Sequence, residues 1–168
     1  MRLLYGHDAE VTHWVCSHIP HLAERIPYFE LGQVLGPSAA VGVLDGGDLV
    51  AGVVFHGYDP FVKAIEVSCA ATSARWANRE TFREILRYPF AQLGCQRVGA
   101  VTPRRATSPR RFLEGLGFKR EGSLRKAFGE DAAIVYGLLR EEWEGGRFCR
   151  ERSALNGKED RTHAAAGA

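Results

Sequence analysis

The chain has 168 residues, 45% of them apolar and 25% charged, proportions of one folded domain with a real core and not of a disordered or fibrous chain. A formal charge of +2 is too small to imply a polyanionic partner by itself. Cys16, Cys69, Cys95 and Cys149 stand far apart with no C-x-x-C pair, which argues against a zinc site and gives no reason to expect disulfides. No apolar run of signal-peptide length opens the chain, and none approaches the roughly 20 residues of a membrane span. A soluble protein of the reducing cytoplasm, with no membrane partner, is the expectation.

Arg2 to Tyr5 reads as a short first strand. A helix is expected from Asp8, placed as its N-cap, to His18, with Val11, Val15 and Trp14 inward and Pro20 ending it. His21 to Phe29 reads as a second short helix closing at Pro27, and Glu30 to Ser38 as loop. His7, His13, His18 and His21 crowd this first part. The spacing His18-x-x-His21 is broken by Pro20 and lacks an acidic or cysteine partner, so no metal site is expected; lining a cleft is the open alternative.

Ala39–Asp45 and Leu49–Tyr58 read as strands joined by Asp45-Gly46-Gly47-Asp48, a strong hairpin signal. Both faces of these strands are apolar, which predicts a sheet covered on both sides. His56 is the only ionisable residue inside the second strand.

From Ile65 to Thr72 apolar and polar residues alternate, Ile65, Val67 and Cys69 against Glu66, Ser68 and Thr72, the signature of a strand. Ser73 to Ala77 turns the chain and Asn78 is placed to cap a helix. Phe82, Ile85, Leu86, Phe90 and Leu93 form its apolar stripe, which Pro89 should kink or split. A strand that feeds a helix N-terminus through a basic turn can hold an anion, since free amides, the helix dipole and Arg75 and Arg79 converge there. A phosphate-bearing cofactor near residues 75 to 80 is one reading; an ordinary junction with solvated arginines is the other.

Arg97–Thr102 reads as a buried strand and Pro103–Pro109 as a basic loop. Ser108 as N-cap and Pro109 as first helical residue open a helix that Gly117 ends. Phe118–Phe128 and Ala132–Leu139 pair as a last hairpin, and Trp143 closes the apolar pattern. The chain therefore divides into a domain over 1–143 and a polar, disordered or partner-ordered tail over 144–168. This order of elements implies an α/β fold, a mixed sheet with helices on both faces.

Three stretches carry a resemblance: Tyr88-Pro89-Phe90-Ala91-Gln92-Leu93-Gly94-Cys95-Gln96-Arg97-Val98, then Phe112-Leu113-Glu114-Gly115-Leu116-Gly117-Phe118-Lys119-Arg120-Glu121-Gly122, then Tyr136 to Trp143. In this order they resemble the GNAT superfamily of acetyl-CoA-dependent N-acetyltransferases, most of all the branch that includes ribosomal-protein N-terminal acetyltransferases. The likeness covers roughly residues 39 to 143. It implies a mostly antiparallel mixed sheet with a central splayed parallel strand pair. It also implies acetyl transfer from acetyl-CoA to an amine-bearing acceptor without a metal, and a homodimer by family habit.

The resemblance carries the CoA diphosphate onto Arg75-Trp76-Ala77-Asn78-Arg79-Glu80, with Asn78 and Glu80 where the family has glycine. Backbone groups of Ala70 and Thr72 would meet the pantetheine arm, and the basic cluster, Arg110 within it, the remaining phosphate. Glu66 is the first candidate for the base that deprotonates the acceptor and His56 the second. Ala106 and Leu113 stand where many members have an asparagine and an acidic tyrosine, which leaves Thr107, Ser108 and Tyr136 as weak substitutes. Two other readings stay open. One is a CoA-binding fold impaired in catalysis. The other is a nucleic-acid module using Arg104, Arg105, Arg110, Arg111, Lys119, Arg120, Arg125 and Lys126, against which stands the lack of interleaved aromatics.

Overall fold

The computed structural model describes residues 1–149. Strand β1 (Arg2–Leu4) lies at one edge of a seven-stranded sheet, and the order across it is β1-β2-β3-β4-β5-β7-β6. β2 (Ser38–Asp45) and β3 (Asp48–Asp59) form the expected hairpin. Gly46 and Gly47 take positive φ at its tip, +62° and +105°, a geometry that side chains resist. β4 (Ala64–Ala71) runs antiparallel to β3. β5 (Arg97–Pro103) is parallel to β4, and β7 (Asp131–Leu139) joins it antiparallel, with β6 (Lys119–Phe128) outermost. The mixed, mostly antiparallel GNAT-like sheet is thus present, with one parallel pair at its centre.

Helices cover both faces, as the two-sided apolar strands require. On one face α1 (Asp8–Ser17) lies across β2, β3 and β4, burying Val11 and Val15 on Ala40 and Val54. On the other, α3 (Arg79–Arg87) sends Phe82, Ile85 and Leu86 into the larger core, each contributing about 1.5–3 kcal/mol by leaving water. Pro89 splits that helix from a π-turn, Tyr88–Gln92, because it supplies no N–H to an α ladder. α4 (Thr107–Leu116) follows β5 and ends on Gly117 at φ +98°, the left-handed cap expected.

Several boundaries differ from the sequence pattern. Asp8 is the first helical residue rather than the cap, and its Oδ1 accepts from the Ala40 amide at 2.6 Å, tying α1 to β2. Pro20 opens the short helix α2 (Pro20–Ala23) instead of ending α1, and Pro27 lies within a 3-10 turn, Ile26–Tyr28. Both prolines occupy first-turn positions, where a missing N–H costs nothing. α4 begins at Thr107 with Ala106 as cap, so Ser108 does not cap it.

Beyond β7 the chain forms α5 (Arg140–Glu144); Glu142 reaches back to accept from the Leu139 N–H at 3.0 Å, and the Arg140 N–H donates to Gln96 O at 2.9 Å. Trp143 stacks on Phe90 at 5.1 Å. The packed chain extends past residue 143: Phe148 meets Phe82 edge-on at 5.9 Å. The remainder of the expected tail, 150–168, lies outside the described residues.

Candidate active site

β4 and β5 pair through three registers, Ala64 with Arg97, Ile65 with Val98 and Glu66 with Gly99. Beyond Glu66 the two strands part, and a cleft of about 670 Å³ opens between them. Val67 to Ala71 form one wall and Ala100 to Pro103 the other. Ser68 and Ala70 point to the α1 face and Val67 and Cys69 to the α3 face, so the cleft passes through the sheet. One mouth is lined by His18 and His21 of the α1–α2 junction, with His21 against Phe128 at 4.6 Å. The other is lined by Ser73, Ala74, Trp76 and Ala77 of the turn after β4 and by Ser108 and Phe112 of α4.

The direction of the β4 amides follows from the register. Thr72 donates its N–H to Val50 O at 2.9 Å, and pairing with β3 is unbroken from Ala71 to Glu66. In an antiparallel ladder hydrogen bonds alternate between neighbours. The amides of Ala70, Ser68 and Glu66 therefore face β3, and those of Ala71, Cys69 and Val67 face the cleft, where β5 offers no partner. This corrects the expectation for Ala70 and Thr72. The Thr72 hydroxyl also turns to Val50 O, at 3.3 Å, while Ala70 lines the cleft with its amide turned to β3.

The turn before α3 has its predicted shape. Ala74–Trp76 is one turn of 3-10 helix, and Asn78 caps α3 by accepting from the Thr81 N–H at 2.9 Å. Much of the turn is satisfied from within. Arg75 N donates to Ser73 Oγ, Ala77 N to Ala74 O and Asn78 N to Trp76 O. Trp76 is buried against Phe82 and Phe112, at 4.9 and 5.7 Å, so its ring belongs to the core. Arg75, Asn78 and Glu80 border a separate polar hollow with Met1 and Glu84. Glu80 is exposed there and does not plug the cleft. Arg79 Nε donates to Phe148 O at 3.4 Å. Arg110 does not line the cleft, and its buried Nε has no hydrogen-bond partner among the described residues.

Glu66 and His56 are cross-strand neighbours on the α1 face. Glu66 lies over Gly99, where a Cβ would fall 2.7 Å from its carboxyl carbon. Burial pushes its carboxyl above the usual carboxylate value, partly offset by Arg97 and reinforced by Glu121. Arg97 itself is held bidentately by Glu121, both contacts at 2.6 Å. Burial pushes the His56 imidazole below its ordinary value, so it is neutral at pH 7. Its Nε2 lies 3.0 Å from Ser68 Oγ. Neither Glu66 nor His56 lines the cleft, whereas Ser68 does.

Tyr136, one of the weak substitutes for the acid, is engaged elsewhere, and the chemistry of Cys69 is that of a core thiol. The buried Tyr136 hydroxyl donates to Glu114 at 2.8 Å, away from the cleft wall. The Cys69 thiol is pushed up to about 11 by burial, which leaves little of the nucleophilic thiolate. Sequence reasoning missed Ser68, whose only signal was its place on the polar side of the alternating strand. It left His18 and His21 undecided; both line the cleft. Among the described residues no group of three His, Cys, Asp or Glu side chains is placed to hold a metal ion, and no helix is long and apolar enough to cross a membrane.

No protein-family model matches the sequence, and no curated protein matches it. Solved structures do match the fold. A candidate acetyltransferase is 24% identical over 86% of this chain and 85% of its own, with a TM-score of 0.65. A second, from T. thermophilus, is 22% identical over 86% and 88%, with a TM-score of 0.64. Mutant forms of the spermidine/spermine N-acetyltransferase SpeG from Vibrio cholerae are 13% identical over 86% and 97%, with the same TM-score of 0.64. At these identities the likeness is one of fold.

Proposed function

We propose that this chain is a GNAT-superfamily N-acetyltransferase that moves an acetyl group from acetyl-CoA to a primary amine by direct attack in a ternary complex. One observation carries the reading: β4 and β5 separate after three registers and leave the Val67, Cys69 and Ala71 amides turned toward a cleft that crosses the sheet. A thin arm bearing its own amides suits that space, with apolar walls for its methylenes and the strand N–H groups for its carbonyls. The same amides supply donors for the oxyanion that forms as the thioester is attacked. An amine arriving from the α1 face and a thioester from the α3 face would meet at the splay, and such positioning supplies several kcal/mol. The diphosphate end of the co-substrate is assigned to the turn at 75–80, through Arg75, Arg79 and the leading amides of α3. The base is drawn from the two candidates Glu66 and His56, cross-strand neighbours on the α1 face. The finer likeness to the ribosomal-protein branch and a homodimer rest on the sequence resemblance, and the cytoplasmic location on the widely spaced cysteines.

A second reading, a CoA-binding protein without turnover, is favoured by one observation. The amides of Arg75, Ala77, Asn78 and Thr81 are satisfied within the turn, which leaves fewer donors for phosphate. Melting measured with and without acetyl-CoA, beside thiol release from acetyl-CoA with peptide N-termini, aminoglycosides and polyamines, separates the two. A higher Tm with amine-dependent thiol release is expected. A higher Tm without thiol release supports the second reading, and neither effect overturns both.

A further inference from the structure

The geometry points to a Ser68–His56 relay as the route by which the acceptor amine loses its proton, with Ser68 as the catalytic group on the cleft wall and His56 acting through it. The inference rests on the acetyl-transfer reading and deepens it. Three observations carry it. Ser68 is on the wall of the cleft, at the splay, and two residues past the last rung that joins β4 to β5. Its Oγ lies 3.0 Å from His56 Nε2, a distance for a hydrogen bond between hydroxyl and imidazole. Glu66, the carboxylate that the strand pattern favoured, is instead laid over Gly99 beside the Arg97–Glu121 pair and does not reach the wall.

The surroundings of His56 suit a neutral proton acceptor. Its cross-strand neighbour on β2 is Ser38, whose Oγ is 3.4 Å from Thr12 Oγ1 of α1, and its neighbours on β4 are Glu66 and Ser68. Glu66 is the one ionisable group among these. With burial lowering the imidazole's proton affinity, His56 is unprotonated and free to accept at neutral pH.

The proton count closes without another reactant. The ammonium of the acceptor gives one proton to Ser68 Oγ while the Ser68 hydroxyl gives its own to His56 Nε2, leaving a neutral amine and an imidazolium. The amine's lone pair forms the C–N bond to the thioester carbonyl. The C–S bond then breaks with its electron pair on sulfur, and the thiolate takes one of the two protons left on the nitrogen. Amide and free thiol result, and the imidazolium returns its proton to solvent through Ser68.

The test uses the full chain with acetyl-CoA, the panel amine that gives most thiol release, and the variants Ser68→Ala, Ser68→Thr, His56→Gln and the double variant of Ser68→Ala with His56→Gln. Loss of the acceptor should lower kcat about 10²-fold in Ser68→Ala, with KM for acetyl-CoA unchanged. Ser68→Thr should restore most of the rate, and the double variant should be no slower than the slower single one. The acidic limb of the parent kcat profile should vanish in His56→Gln. Should His56→Gln fold poorly, Ser68→Ala and its rescue by threonine carry the test. Wild-type kcat in Ser68→Ala, or an unchanged acidic limb in folded His56→Gln, overturns the relay while acetyl-CoA binding and turnover uphold the reading beneath it. No acetyl-CoA stabilisation and no thiol release in the parent overturns that reading, and the relay with it.

Discussion

Glu66 rests on Gly99: the two are partners in the last parallel register, and the carboxyl fills the space where any other residue at 99 would place its Cβ, 2.7 Å from Glu66 Cδ. Gly99→Ala forces the carboxyl to swing, at a cost of about 1 kcal/mol. In a Glu66→Ala background the carboxyl, which supplies the three atoms nearest that Cβ, is gone. A double-mutant cycle by urea unfolding should give a coupling close to the whole cost; equal effects in both backgrounds would show that the two side chains do not compete.

The same carboxyl sets a pH dependence. Burial raises its pKa above the ordinary value of 4.5, so the folded state prefers the neutral acid. The stability this gives is complete below 4.5 and is lost as pH rises through the raised value. Glu66→Gln removes the loss. The Tm of the variant minus that of the parent should therefore grow between pH 4 and pH 8, and a difference flat across that range contradicts the assignment.

Ala71→Pro probes the direction of the strand amides. Its N–H faces the cleft and not β3, so proline there breaks no rung of the ladder, as at the edge of a sheet. Losing one donor should weaken acetyl-CoA binding about 3- to 10-fold with little change in Tm. Calorimetric titration reads the affinity; full affinity in a folded variant would show that this amide does not face the ligand.

Tyr136→Phe deletes a hydroxyl that donates to Glu114 at 2.8 Å inside the core. The loss should cost about 1 kcal/mol of stability and leave turnover unchanged. A fall in kcat at constant Tm would return Tyr136 to the chemistry.

Phe148→Ala tests where the folded chain ends. Phe148 is half-buried and packs on Phe82, and Arg147 donates to the Gly115 carbonyl. Removing the ring should cost about 1–2 kcal/mol, read as a lower urea midpoint at unchanged slope. No change would place the end of the packed chain before Phe148.

Much of the fold was legible because local rules and tertiary packing agreed. Gly46-Gly47 between apolar runs, the alternation after Ala64, the cap at Asn78, the break at Pro89 and Gly117 all appear where their side-chain chemistry puts them. The site was legible in outline only. Ala70 and Thr72 differ from Cys69 and Ala71 by the parity of one register, which a sequence does not carry. Ser68 gains its meaning from a histidine twelve residues away. Asp8 looks like a cap until β2 brings the Ala40 amide to it, and Phe148 sits in a polar stretch whose partners Phe82 and Gly115 are far off in the chain.

The three-register seam divides the sheet into two antiparallel halves, β1 to β4 and β5 with β7 and β6. Across it the backbone is stitched at one end only, so over the length of the cleft no strand pairing opposes a scissoring of one half against the other. A guest seated between the blades would replace the absent rungs and lock that motion. Deuterium uptake should register this as slower exchange at Val67, Cys69 and Ala71, with little change at Ser68 and Ala70, whose amides are already engaged with β3.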